Sequence, residues 1–267
     1  MANTFRLLLA GLFTFCAMIL AAISCAGSTS AYVPIDRIYT SQISLKNLEQ
    51  AVIFPNIKDN SIFNNLPSYV NVGLWSFCEA DANAKVTKCK TQSGIQTFNL
   101  QQVLFELIDS PELTSYADVL LPQKLQDKKG YYNRLVTCMF VCTLLGVLIS
   151  FLALIINIVR LCAQTRVLTW LGRFLSLCAF FAILIAAATS SGTYIYIRQI
   201  LNKNAAEYGI RMRLGGVFYG LIWGACGSSL LALIFWGSVR DGPLGWMRGR
   251  RGSPMPNGGA PEKRLIL

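Results

Sequence analysis

Four long apolar stretches without a charged side chain punctuate the chain. No residue between Arg6 and Asp36 is charged, and 7–27 is almost wholly apolar. Residues 135–159, 174–197 and 214–239 are bracketed by Arg134 and Arg160, by Arg173 and Arg198, and by Arg213 and Arg240. About 20 mostly apolar residues in a helix suffice to cross a bilayer. None of the nine prolines falls inside these windows. Tyr131, Tyr132, Trp170, Tyr194, Tyr196 and Trp236 stand near the window ends, where aromatic belts form. The pattern predicts transmembrane helices at 7–27, 135–159, 174–197 and 217–239. They are joined by a long loop at 28–134 and short loops at 160–173 and 198–216, with a segment 1–6 in front and a tail at 240–267 behind.

Composition agrees. Apolar residues make up 54% and charged ones 14%, against about 25% charged in a soluble domain. Helices of a soluble core would carry a polar face, and these windows have none. The first window competes with a cleaved signal peptide, for which Arg6, Ser24 and Ser28 to Ser30 supply the charged start and small residues. Its apolar run exceeds the roughly 7–15 residues of a signal core, which favours a retained anchor.

The net charge of +11 matters through its placement. The loop 28–134 carries ten basic and ten acidic residues, 160–173 carries Arg160, Arg166 and Arg173 with no acid, and 240–267 carries six basic and two acidic residues. Basic residues in short segments stay cytoplasmic, so both termini are expected inside and the long loop outside. The loop 198–216, with four basic residues, weakens the bias. No aromatic–basic interleaving accompanies the charge, so nucleic acid is not an expected partner. The Gly-, Pro- and Arg-rich tail cannot bury enough apolar surface to fold. Arg240, Arg248, Arg250 and Arg251 can hold it against anionic inner-leaflet lipid at about 1 kcal/mol each; a plain topogenic signal is the competing reading.

Of nine cysteines, Cys16, Cys25, Cys138, Cys142, Cys178 and Cys226 lie in or beside the windows and read as small hydrophobes. Cys162, beside Arg160, is a candidate for S-acylation. Cys78 and Cys89 alone lie deep in the long loop, where an oxidising compartment favours a disulfide. A zinc site is excluded by the absence of histidine and of a second cysteine pair. The stretch 68–78 alternates, with Tyr69, Asn71, Gly73, Trp75 and Phe77 on one face and Val70, Val72 and Leu74 on the other, which predicts one strand. A second strand is expected at 85–90. A turn centred on Asn83–Ala84 sets Cys78 opposite Cys89. Two short amphipathic helices are expected downstream, one through Leu100, Val103, Leu104, Leu107 and Ile108, the next opened by Ser110–Pro111. The fold expected is a membrane all-α four-helix bundle topped by a small disulfide-pinned extracellular sheet.

Gly73-Leu74-Trp75-x-x-Cys78 followed by Cys89, in the first outer loop of a four-span chain, resembles the signature of the claudin superfamily. The chain up to about Arg240 looks more closely like the fungal SUR/PalI branch. The supporting stretches are CAGSTSAY, YYNRLVTCMF, LTWLGRF, GTYIYI, YGIRM and GLIWGA. The long loop is about twice a claudin's, Tyr32 rather than a tryptophan follows the first span, and the tail is short, so claudin-type paracellular sealing is not carried over. The resemblance implies a claudin-like fold and a non-enzymatic plasma-membrane organising protein of cortical patches (eisosomes), serving cell-wall integrity and stress response. Its implied partners are further copies of itself or other four-span cortical proteins. A signalling accessory for ambient pH or stress is the alternative, and a small transporter or channel comes third.

Without histidine no Ser–His or Cys–His pair exists, so an enzyme is not expected, and no cofactor. The windows lack the buried charges that proton-coupled transport uses. Asn157 is the one strongly polar residue in a window and is expected to bond a neighbouring helix. Gly216, Gly220, Gly224 and Ser228 recur every four residues, a smooth stripe for close helix packing. Ala182, Ala186 and Ser190 form a similar one. Packing within one chain and self-assembly both remain open for these stripes.

Overall fold

The computed structural model describes residues 2–30, 32, 35–46, 67–91, 129–163, 165–204 and 209–239. The two amphipathic helices expected after residue 100 and the tail 240–267 lie outside the described residues. Four helices carry the charge-free windows: α1 (Ala2–Cys25), α2 (Lys129–Cys162), α3 (Arg166–Asn204) and α4 (Gly216–Ser238). Each is long and apolar enough to cross a membrane. They pack in a ring, α1 against α2 and α4, and α3 against the same two.

The inward positions step alternately by three and four residues. On α1 they are Leu7, Ala10, Thr14, Ala17 and Ala21, and on α4 they are Phe218, Ile222, Ala225, Ser229, Ala232 and Trp236. Ser150, Ala153, Asn157 and Arg160 continue the seam on α2, and Thr169, Ser176, Ala179, Ile183 and Ala186 on α3. This is the heptad spacing of a left-handed bundle. Most of these side chains are small. In lipid, where apolar surface alone does not drive helices together, small residues let backbones approach and gain dispersion contact.

Among the described residues the loops contribute five strands: β1 (Ser41–Ser44), β2 (Tyr69–Val72), β3 (Ser76–Ala80), β4 (Val86–Thr91) and β5 (Arg211–Leu214). They form one sheet in the order β4-β3-β2-β1-β5, and every neighbouring pair is antiparallel. β1 is central to the connection, pairing Ser41 with Val72 on one side and with Leu214 on the other. One face of the sheet buries Ile43, Val70, Val72, Phe77 and Met212 against Val136, Met139, Phe140, Tyr194, Ile197 and Phe218 at the helix ends. Each such side chain contributes about 1.5–3 kcal/mol on full burial. The sheet and the bundle therefore share a core and are one body.

The single strand expected through 68–78 is corrected. The backbone reverses at 73–75, and the Gly73 N–H donates to the Ser76 carbonyl at 2.8 Å. Asn71 then faces Cys78, and Val72 faces Phe77. The turn shifts the alternation by one residue, so Phe77, which a single strand would set on the face opposite Val70 and Val72, shares their buried face. The Asn83–Ala84 turn forms as expected. The Asp81 carboxylate accepts from the N–H groups of Asn83 and Lys85, both at 2.9 Å, and Ala84 takes a left-handed backbone, φ 60°.

Candidate functional site

Cys78 and Cys89 are opposite residues of β3 and β4 and are joined as a disulfide. Cys78 is wholly buried. The bridge closes a loop of 11 residues. A salt bridge from Lys90 to Glu79 at 4.0 Å spans the same pair of strands near the surface, where such pairs contribute at most about 1 kcal/mol.

The Gly73-Leu74-Trp75 motif is the hairpin that seats this sheet on the exit of α1. Gly73 faces the backbone there: a β-carbon on it would stand 2.7 Å from the Gly27 carbonyl oxygen and 2.7 Å from Ser28 Cβ. Ser28, just beyond α1, holds a left-handed conformation with φ 58°, and each of its polar groups is used. Its N–H donates to the Ile35 carbonyl at 3.1 Å. Its hydroxyl donates to the Ile38 carbonyl at 2.9 Å. Its own carbonyl accepts from the Ser76 hydroxyl. Leu74 is buried in the shared core, while Trp75 is partly exposed and meets Phe140 of α2 edge-on, with centroids 4.8 Å apart. The motif thus fixes a joint between the first helix, the sheet and the second helix.

The small-residue stripe of α4 lies away from that joint and divides in two. Gly216 and Gly220 are exposed, with nothing among the described residues within 4 Å of where a β-carbon would stand. Gly224 is half-buried and faces Leu20 of α1 at 3.5 Å, and Ser228 is half-buried. The inward line of α4 runs instead through Phe218, Ile222, Ala225, Cys226, Ser229, Ala232 and Trp236. On α3, Ala186 and Ser190 are buried as the second stripe suggests.

At the far end of the bundle, arginines close the terminus of α4. Arg6 donates to the Ser238 carbonyl at 2.6 Å. Arg173 donates through Nε to the Trp236 carbonyl at 3.2 Å and through Nη2 to the Val239 carbonyl. The Trp236 carbonyl also accepts from the Val239 N–H at 3.3 Å, the later carbonyls lie past the last helical bond, and cations suit the negative end of the helix dipole. Arg160 is buried and donates to the Thr169 hydroxyl at 2.7 Å. Asn157 bonds a neighbouring helix, its Nδ2 donating to the Leu7 carbonyl at 3.1 Å. Cys162 is exposed at the last residue of α2.

Four features escape the sequence reading. Ser28 and Ser76 are two, and the CAGSTSAY stretch contains the first. The third is β1, and the fourth is β5, whose Arg211-Met212-Arg213-Leu214 alternation is visible once sought. Asn202 pins that strand, donating to the Met212 carbonyl at 3.2 Å and accepting from its N–H at 2.9 Å.

The model of the SUR7/PalI family matches residues 6–235. The chain belongs to the SUR7/PalI family. It is 41% identical over 248 residues to Protein PUN1 of Saccharomyces cerevisiae, covering 91% of this chain and 94% of that one. It is 23% identical over 190 residues to the uncharacterized protein YKL187C of the same yeast, covering 67% of this chain and 24% of that much longer protein. No solved structure matches. The SUR7/PalI match runs from Arg6 to Phe235, from the base of α1 almost to the end of α4, and so takes in the helices, the sheet and the arginines at the far end.

Proposed function

We propose that this SUR7/PalI member is a non-enzymatic organiser of the plasma membrane, residing in cortical patches and supporting cell-wall integrity and stress response. The observation that carries the reading is that the family match, 6–235, takes in the helices and sheet that share one core, whose distinctive polar groups are spent on holding them together. The motif glycine, the Ser28 joint, the disulfide and the helix-end arginines are all structural contacts, as suits a scaffold. In this reading both termini are cytoplasmic, the sheet is extracellular and claudin-like, and Arg6, Arg160 and Arg173 lie at the inner leaflet with the basic tail on anionic lipid. The exposed upper stripe, Gly216 and Gly220, is the surface for another copy or a related four-span protein, and exposed Cys162 is available for S-acylation at the inner face.

Fluorescence imaging of a C-terminal fusion at native expression tests this reading. Stable cortical patches, together with hypersensitivity of a deletion strain to a cell-wall-damaging dye, are the expected result. A diffuse or internal signal with no wall phenotype overturns it.

A further inference from the structure

At mid-height the bundle contains a closed polar layer. A cavity of about 10 Å³ is lined by two residues from every helix: Thr14 and Ala17, Ser150 and Ala153, Ser176 and Ala179, Ser229 and Ala232. Each helix supplies one hydroxyl and, three residues on, one alanine. The four hydroxyl residues are at most 4% exposed. They stand nine to twelve residues from the helix ends at Ala2, Cys162, Arg166 and Ser238. At 1.5 Å per residue that is about 14–18 Å, near the middle of a 30 Å hydrocarbon layer.

Their hydrogen bonds are half spent. Thr14 donates to the Ala10 carbonyl at 2.7 Å, and Ser229 to the Cys226 carbonyl at 2.8 Å, which leaves lone pairs on both oxygens. The Ser150 and Ser176 hydroxyls are buried with no partner. Two unused donors and two unused acceptors therefore face one small void. A hydroxyl buried in an apolar interior without a partner is costly, and in lipid no bulk solvent relieves it. A void of roughly 10–15 Å³ holds one water when two to four polar groups line it.

We infer that one water molecule is bound at the centre of the bundle. It accepts from Ser150 and Ser176 and donates to Thr14 and Ser229, with one bond to each helix. The two-donor, two-acceptor complement of water matches what the four side chains leave open. An anion would lack donors from Thr14 and Ser229, and a larger ligand does not fit between the alanines. The layer also fixes register. Sliding one helix by a heptad on its neighbours would carry its hydroxyl out of this layer, to the level of Leu7, Asn157, Thr169 and Trp236 or of Ala21, Thr143, Ile183 and Ile222, and leave the water short of a partner.

The test uses the full chain in nanodiscs of deuterated lipid, labelled at serine, threonine and alanine, with NMR magnetisation transferred from water. Transfer to Ser150 and Ser176, assigned through Ser150→Ala and Ser176→Ala, is expected, with buried Ala186 on the same seam remaining dark. No transfer to either serine overturns the inference, and this measurement needs no variant to fold stably. Thermal unfolding then supplies a double-mutant cycle. Because both serines act through one water, Ser150→Ala with Ser176→Ala should lower the midpoint by clearly less than the sum of the single shifts. Additive shifts overturn the inference, since they mean that each hydroxyl bonds separately to its own helix.

Discussion

The indole ring of Trp236, wholly buried at the end of α4, occupies the space that a β-carbon on Gly172 of α3 would fill. The contact locks α3 to α4 just where Arg173 caps the carbonyls of Trp236 and Val239. Gly172→Ala should therefore destabilise the protein by about 1–3 kcal/mol, the usual cost of overpacking. Gly220→Ala, into open space, should be neutral or stabilising by up to about 1 kcal/mol, since alanine favours helix. Unfolding of the two variants side by side in the same detergent decides this. Equal midpoints would mean that α3 and α4 separate there without cost.

Cys78→Ser or Cys89→Ser should cost about 2–3 kcal/mol by releasing a short closed loop, and should hold the protein in the secretory pathway. Non-reducing peptide mapping of surface protein should recover residues 78 and 89 in one linked fragment. Two free thiols in mature, surface-exposed protein would defeat the expectation.

Gly220→Leu separates assembly from folding better than a double substitution, because Gly224 touches Leu20 within the chain and Gly220 touches nothing. If the exposed stripe is a contact between copies, Gly220→Leu should reach the cell surface with unchanged stability yet lose its patches. Removal of 248–267 should leave patches largely intact, since the tail adds attraction that salt screens. Patches that survive Gly220→Leu but vanish on tail removal would move the contact to the tail.

Orientation is checked by single introduced cysteines. A membrane-impermeant thiol reagent applied to intact cells should label Ser61→Cys and spare Ser253→Cys. The reverse pattern would invert every assignment of inner and outer face, including the place of Arg6, Arg160 and Arg173 at the inner leaflet.

The helices were legible because charge is excluded from lipid, so Arg134, Arg160, Arg173 and Arg198 bracket the charge-free windows, although α2 and α3 run past them at both ends. The Cys78–Cys89 register was legible because a turn centre fixes which residues face each other across a hairpin. The reversal at Gly73 was not, since alternation carries no record of direction and the three residues at 73–75 pass for part of one strand while shifting its phase by one. β1 and β5 have four residues each, too short for periodicity to separate them from loop, and they are held by pairing and packing distant in sequence: β1 lies between β2 and β5, and both bury a side chain on the bundle. The stripe at Gly216, Gly220, Gly224 and Ser228 drew the eye through its glycines. The packed seam is written in alanine, serine and threonine at steps of three and four, a quieter signal that the length of Leu7 to Ala21 already contains.

The pairing of Ser41 with Leu214 brings together residues from opposite ends of the chain. During synthesis, β1 to β4 emerge early, but the strand that closes the edge of β1 arrives only after α3 has been threaded into the bilayer. Until then the nascent protein displays an open row of backbone donors and acceptors along β1. The ribosome must deliver about four-fifths of the polypeptide before that edge is hidden. The arrival of β5 thus marks that synthesis has advanced past α3, and it moves the outer edge of the sheet from β1 to a strand anchored directly to α4.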